Sequence, residues 1–159
     1  MNTQKTHRTS FLKSTLTLAL VAAASFTAQA SAKNLDIQVY NNHDPKGFQV
    51  SSVLISGAKD AILLDAQFTL PDAQKLVEQI KASGKNLKTV FITSGDPDFY
   101  FGLGVIKAAF PDAKILTTPA ILKHINETVD GKLVTWGKQM SDLVTKTATL
   151  PEAYTGNSL

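Results

Sequence analysis

The chain has 159 residues and no cysteine, so its stability has to come from a packed core and not from disulfide bonds. A formal net charge of +3 would suggest a nucleic acid or an anionic membrane as partner if the basic residues were spread along the chain. Three of the 16 basic residues, Lys5, Arg8 and Lys13, lie in an N-terminal stretch without acids, and the remaining 13 equal the 13 acidic residues. The rest of the chain is neutral, which argues against both partners.

Residues 1–32 have the three parts of a secretory signal peptide. A basic start precedes an apolar core over residues 16–24, and two Ala-x-Ala cleavage patterns follow at 28–30 and 30–32. An uncleaved membrane anchor is the alternative, but this core is short, whereas a spanning helix needs about 20 apolar residues. We therefore expect cleavage, a periplasmic or secreted protein, and no membrane attachment afterwards.

The residues after the signal peptide predict two strands and a loop. Leu35, Ile37 and Val39 alternate with polar residues, and a second apolar run extends over residues 50–55. The residues between them, 41–47, have the composition of a turn. Further on, residues 61–65 form a short apolar run that ends in Asp65, which predicts a buried strand with a carboxylate at its end.

The pattern changes to helical spacing from Leu70 onwards. Thr69 and Asp72 have the spacing of a capping box, and Gly84 suits the left-handed position after the last turn. The apolar residues recur with helical period, at Ala73, Leu76, Val77 and Ile80. A strand rich in β-branched and aromatic residues follows over 89–92.

The remaining chain predicts further α/β crossovers. A loop over 94–98 precedes a single helix from Phe99 to Phe110, and a strand follows over 113–116. Thr118 is expected to cap a helix, and helical spacing resumes beyond Asp130 and Gly131. The sequence thus predicts one α/β domain over 33–147 and a flexible tail over 148–159. Its later strands should be parallel, so that loops at their carboxyl ends can build a site.

The loop over 94–98 places two carboxylates one residue apart between a strand and a helix. Asp96 and Asp98, helped by Asp65, could hold one side of a hard cation. A structural interpretation is also open, in which Asp98 caps the helix, Pro97 sets a turn, and Asp96 is solvated or favours the positive helix end. The residues alone favour the structural interpretation, because capping signals are far commoner than metal sites.

Several other features have a structural and a functional interpretation. Neither His43, which lies in a turn, nor His124, on a helix, has metal-ligand spacing. His124 is expected to be an ordinary surface or partly buried histidine. Gly102 and Gly104 do not match a nucleotide-binding loop, and close helix packing explains them better. A cluster of rings could stack on a ligand but is more typical of a core; its members are Phe99, Tyr100, Phe101 and Trp136.

The order of these elements, with the stretch from Thr89 to Leu103, resembles the metallo-β-lactamase superfamily. There a strand, an acid, a helix and a second strand lead into T-H-x-H-x-D-H-x-x-G. Thr93, Asp98 and Gly102 fall on the Thr, Asp and Gly of that motif. The three histidines fall on Ser94, Asp96 and Phe99 in this chain, so the motif is degenerate. The resemblance extends over residues 35–125.

The resemblance implies an α/β fold, namely the N-terminal half of an αββα sandwich with a mixed sheet and flanking helices. It also implies metal-assisted hydrolysis of an ester, lactone or amide bond in a small-molecule substrate, if the chain is active. Asp98 would then be the catalytic residue as metal ligand or proton acceptor, Asp96 a second metal ligand, and Ser94 a contact to substrate. Asp65 and Gly102 would support the site. The implied cofactor is zinc or another divalent metal, weakly bound, or no metal at all.

A second hypothesis is a non-catalytic binding protein or a truncated remnant of such a hydrolase. The family's second half, which carries further ligands, has no counterpart before Leu159. A half-sandwich exposes one apolar face of its sheet, and such faces drive association. This hypothesis predicts a homodimer or another partner.

Overall fold

A computed structural model describes residues 35–42 and 48–159 of the chain. The predicted signal peptide and His43 lie outside the described residues. The strands are β1 (Asp36–Asn41), β2 (Ser51–Ser56), β3 (Asp60–Leu64), β4 (Asn86–Ile92), β5 (Lys114–Thr117) and β6 (Glu152–Ala153). The helices are α1 (Leu70–Ala82), α2 (Pro97–Tyr100), α3 (Leu103–Ala109) and α4 (Pro119–Met140), followed by a 3-10 turn at Ser141–Leu143.

The described strands form a single sheet in chain order from β1 to β6. The pairs β1–β2 and β2–β3 are antiparallel, and the pairs from β3 to β6 are parallel. This mixed sheet with flanking helices confirms the expected α/β class. Because β3, β4 and β5 run in one direction, the segments that follow them emerge at the same edge of the sheet.

One face of the sheet forms the core. Leu54, Leu63, Val90 and Ile115 pair across β2 to β5 and are buried, so they point to the same side. The helices bury their apolar residues in the same cluster; these are Leu76, Val77 and Ile80 of α1, Leu103 and Ile106 of α3, and Ile125 of α4. Alternate residues of β2 to β5 thus point to one side of the sheet and form a core, which stabilises the fold without disulfides.

The other face of the sheet is also apolar but only partly covered. Ile55 pairs with Ile62, and Leu64 pairs with Phe91, and all four side chains are half-buried. On the edge strand β1 the apolar residues are mostly exposed, with Leu35 and Ile37 each 63% exposed and Val39 61% exposed. The described chain therefore leaves an apolar surface on one side of its sheet.

The ends of α1 match the sequence patterns. The Thr69 hydroxyl accepts a hydrogen bond from the Asp72 N–H at 3.2 Å and donates one to the Asp72 carboxylate at 2.6 Å. Gly84 adopts a φ of 64°, the left-handed conformation that a residue without Cβ takes at little cost. Both features confirm the predicted helix over this stretch.

The single helix predicted from Phe99 to Phe110 is wrong. The helix begins earlier, at Pro97, and stops at Tyr100, and α3 starts afresh at Leu103. Gly102 lies at the break and donates its N–H to the Gln67 carbonyl at 2.9 Å. A Cβ on Gly102 would overlap the Ala66 carbonyl oxygen, which confirms that close packing explains this glycine. Local periodicity cannot detect such a contact between distant segments.

The C-terminal third also differs from the prediction. Helix α4 continues through Asp130 and Gly131 as one helix of 22 residues, capped as predicted by the Thr118 hydroxyl. Residues 152–153, expected within a flexible tail, form the short strand β6, because β5 offers a free parallel edge. Among the described residues, none of the helices is long and apolar enough to cross a membrane.

Candidate functional site

Asp65 connects the ends of two parallel strands. It follows β3 with a φ of 61°, a left-handed conformation that aspartate tolerates better than most residues. Its carboxylate accepts hydrogen bonds from the Thr93 N–H at 2.8 Å and from the Thr93 hydroxyl at 2.7 Å. Asp65 therefore fixes the residue at which the loop over 94–98 begins, which is a supporting role at the site.

Backbone hydrogen bonds hold the two segments together beyond Asp65. The Ala66 N–H donates to the Phe99 carbonyl at 2.7 Å. Gln67, also at a positive φ of 71°, is buried and donates from its amide nitrogen to the Val50 carbonyl at 3.1 Å and the Ser52 hydroxyl at 2.8 Å. Strained residues that are held this firmly cluster at functional sites. The sequence analysis did not identify Gln67, since a lone glutamine carries no pattern.

The loop itself presents Ser94, Asp96 and Asp98 in different surroundings. The Ser94 hydroxyl accepts a hydrogen bond from the Asp96 N–H at 3.2 Å, which forms a local turn. Asp96, and not Asp98, is the residue before α2, and its carboxylate makes no capping hydrogen bond. Asp98 lies in the first turn of α2 and is half-buried. The interpretation of Asp98 as the helix cap is therefore wrong.

The carboxyl groups of this region interact electrostatically. Burial raises the pKa of Asp98, and a hydrogen bond from its own backbone N–H lowers it. The negative charge of Asp96 raises this pKa further, and the positive charge of Lys132 lowers it. Burial also raises the pKa of Asp65, against the two hydrogen bonds from Thr93, and the Asp98 charge raises it further. The charge of Asp98 thus acts on Asp65, and the charge of Asp96 acts on Asp98.

Two residues of α4 contact the loop over 94–98, and the sequence analysis assigned neither of them to it. The Lys132 ammonium group lies 2.8 Å from the Gly95 carbonyl oxygen and 3.3 Å from an Asp96 carboxylate oxygen. His124 approaches Gly95 so closely that a Cβ there would overlap its ring. His124 is exposed, as predicted, and its ring also packs against Gly95. The Lys132 contacts join residues 37 and 36 positions apart, so sequence spacing could not reveal them.

The aromatic residues near the loop belong to the core. Phe68 packs edge-on against Phe48 and Trp136, with ring centroids 5.1 Å apart in both pairs. Tyr100 packs edge-on against Phe101, and Phe99 is partly buried against the same core. These contacts favour the interpretation of the rings as core aromatics over a ligand-stacking platform.

The Tyr100 hydroxyl is a buried group that the described residues leave without a hydrogen-bond partner. Burial and the nearby negative charge of Asp96 raise the pKa of Tyr100 to about 12. Such a phenol stays protonated across the physiological range, and its hydroxyl can both donate and accept a hydrogen bond.

The described side chains do not fit a zinc ion. Among residues 35–42 and 48–159, no group of three or more His, Asp or Glu side chains is placed to hold a metal. The Asp65 oxygens accept from Thr93, Asp96 pairs with Lys132, and the Phe99 ring packs in the core. Asp96 and Asp98 as metal ligands therefore stay a prediction, and we derive no catalytic step through a metal.

Comparison of the chain with known proteins points to one family. A sequence model of the metallo-beta-lactamase superfamily matches residues 45–149. The solved structure of metallo-beta-lactamase SMB-1 with mercaptoacetic acid is 26% identical over 46% of this chain and 29% of its own, with a TM-score of 0.41. FIM-1 from Pseudomonas aeruginosa, in its mono-zinc form, is 12% identical over 58% of this chain and 42% of its own, with a TM-score of 0.47.

A third similar structure is the metallo-beta-lactamase from Hirschia baltica, 12% identical over 58% of this chain and 43% of its own, with a TM-score of 0.49. No curated protein matches the chain. The chain thus spans less than half the length of these three solved relatives. The family match covers more than half of the chain, including the loop over 94–98 and the helix that supplies Lys132. The chain therefore belongs to the metallo-beta-lactamase superfamily.

Proposed function

We propose that this chain is a hydrolase-like protein that binds a small-molecule substrate at the loop over 94–98 and cleaves an ester, lactone or amide bond. Asp98 is the proton acceptor, and Ser94 contacts the substrate or the attacking water. The observation that carries the proposal is a half-buried carboxylate of raised pKa at the carboxyl end of a parallel strand. In α/β sheets, ligands bind at that edge.

The surroundings of Asp98 suit general base catalysis. A carboxylate is a more effective base when its pKa approaches the working pH, and burial moves the Asp98 pKa in that direction. Asp65 has a different role, since both its oxygens are taken up by Thr93. The proton acceptor is therefore Asp98.

In the proposed reaction, Asp98 alone accepts and returns the proton. Asp98 takes one proton from a water molecule while the water oxygen bonds to the carbonyl carbon of the substrate. As the tetrahedral intermediate collapses, the protonated Asp98 returns that proton to the leaving alcohol or amine. The carboxylic acid product departs and releases its remaining proton to solvent. No oxidant, reductant or second substrate is needed.

An esterase and lactonase panel tests the proposal, with and without added zinc, manganese or iron. We expect hydrolysis by the wild type and a loss of about 100-fold in D98N, as is typical when a general base is removed. D112N is the matched control, because Asp112 is an exposed carboxylate in the turn before β5. Absence of hydrolysis from the whole panel, in every metal condition, would remove the enzymatic proposal.

The second candidate is a non-catalytic protein that associates through the partly covered face of its sheet. The exposed apolar side chains of Leu35, Ile37 and Val39 favour it, because exposed apolar strands promote association. The expected partner is a second copy of the chain. Light scattering that shows a monomer at all concentrations, with no binding of an apolar dye, would contradict it.

Export is a separate proposal and rests on the sequence of residues 1–32. We propose that this segment is removed and that the mature protein is periplasmic or secreted. Intact-mass measurement of the protein recovered from each cell fraction tests this. A product that retains residues 1–32 in the cytoplasmic fraction would contradict it.

A further inference from the structure

A lysine side chain of α4 extends back to the loop over 94–98. Helical side chains tilt towards the N-terminus of their helix, and Lys132 lies eight residues after His124, roughly 12 Å along the axis. The long side chain spans much of that distance and brings Nζ to 3.3 Å from His124 Nε2. Only 19% of the lysine side chain is exposed, so most of it is packed against the protein.

Three atoms of the protein surround the ammonium group. They are the Gly95 carbonyl oxygen at 2.8 Å, an Asp96 carboxylate oxygen at 3.3 Å, and His124 Nε2 at 3.3 Å. An ammonium group has three N–H donors and no acceptor, so these contacts use all of them when His124 is in the tautomer without a hydrogen on Nε2. Lys132 therefore has no donor left for a substrate. Its role is to position the loop.

The three surrounding atoms are also suitable ligands for a divalent cation. Carbonyl and carboxylate oxygens bind hard cations, and imidazole nitrogen binds zinc and similar metals. Gly95 makes this arrangement possible, because any Cβ at that position would overlap the His124 ring. The three atoms thus resemble the ligands of a small cation site, and the Lys132 ammonium group takes the position of the cation.

We propose that the Lys132 ammonium group replaces a divalent metal ion as the cation that organises the loop over 94–98, so that lysine and metal exclude one another there. The proposal rests on the assignment of this loop as the functional site. It explains why a loop with the acids of a metal-binding family lacks a metal-binding set in the described residues. The carbonyl oxygen, the carboxylate and the imidazole are already occupied.

The test is a zinc titration of the chelator-treated full chain by calorimetry. We expect the wild type and K138M to bind no stoichiometric zinc, and K132M to bind one zinc ion at least tenfold more tightly than either. K138M is the matched control, since Lys138 is an exposed lysine of the same helix. Zinc should also raise the melting temperature of K132M and leave that of the wild type unchanged.

A second substitution identifies the ligands. The double variant K132M/H124A should lose the zinc affinity that K132M gains, because one of the three ligands is gone. Tight 1:1 zinc binding by the wild type would overturn the proposal by itself, and so would a folded K132M that gains no affinity. If K132M does not fold, K132Q serves in its place, since glutamine removes the charge and keeps a polar side chain. No hydrolysis is measured, so failure here is distinct from failure of the proposed activity.

Discussion

The Asp65 carboxylate accepts both the N–H and the hydroxyl hydrogen bond of Thr93, and it thereby joins the end of β3 to the end of β4. Removing it deprives both the Thr93 N–H and the Thr93 hydroxyl of this charged partner. We expect D65A to lower the free energy of unfolding by about 2 to 3 kcal/mol. Urea denaturation measures this, with D60A as control, since Asp60 is exposed and should contribute at most about 0.5 kcal/mol. Equal losses in both variants would contradict the role of Asp65.

The raised pKa of Asp98 predicts a pH dependence of stability. Burial favours the protonated form in the folded state, so the stabilisation is fully present below the ordinary value of 3.8 and is lost as pH rises through the folded-state pKa. The amide that D98N introduces cannot ionise. We therefore expect the stability of D98N relative to wild type to increase as the pH rises above about 4. Parallel denaturation series measure this difference, and a constant difference would contradict the raised pKa.

The Tyr100 hydroxyl predicts a substitution that costs no stability. Because this buried hydroxyl lacks a partner among the described residues, Y100F removes a desolvated polar group and leaves the ring packing intact. We expect Y100F to be as stable as the wild type or more stable by up to about 1 kcal/mol. Ultraviolet titration should also lose one tyrosine that ionises near pH 12. A clear loss of stability in Y100F would mean that the hydroxyl is paired.

We expect substitution by alanine to have opposite effects on stability at Gly102 and at Gly131. A Cβ on Gly102 would overlap the Ala66 carbonyl oxygen and press on the Ala73 Cβ, so G102A should destabilise the fold by about 2 kcal/mol or more. Gly131 has open space at its Cβ position within α4, and G131A should stabilise it by about 0.5 to 1 kcal/mol. Thermal denaturation of the two variants compares them directly. Similar shifts in both would contradict the packing at Gly102.

Local patterns in the sequence predict most of the fold. The alternation in β1 and β2, the caps at Thr69 and Thr118, and the period of α1 all depend on neighbouring residues, and the structure confirms them. The break at Gly102 and the strand β6 depend on distant segments, namely the Ala66 carbonyl and the edge of β5. A pattern of neighbouring residues contains no information about such contacts.

For the candidate site, too, the sequence predicts what depends on neighbouring residues and not the contacts between distant segments. The loop over 94–98 could be identified because its acids stand between a strand and a helix in one short stretch. Lys132 and His124 could not be identified, because α4 reaches the loop only in three dimensions. The sequence did indicate that imidazoles were missing from the motif. It did not indicate that an ammonium group lies on the loop.

The strand order of the sheet, which follows the chain order from β1 to β6, has a consequence for how the protein forms. Each new strand can add to the edge of the strand made just before it, and no segment has to wait for one synthesised much later. The sheet can therefore form in chain order from β1 onwards. Helix α4 follows β1 to β5 in that order, so the loop at the end of β4 acquires Lys132 only after these five strands.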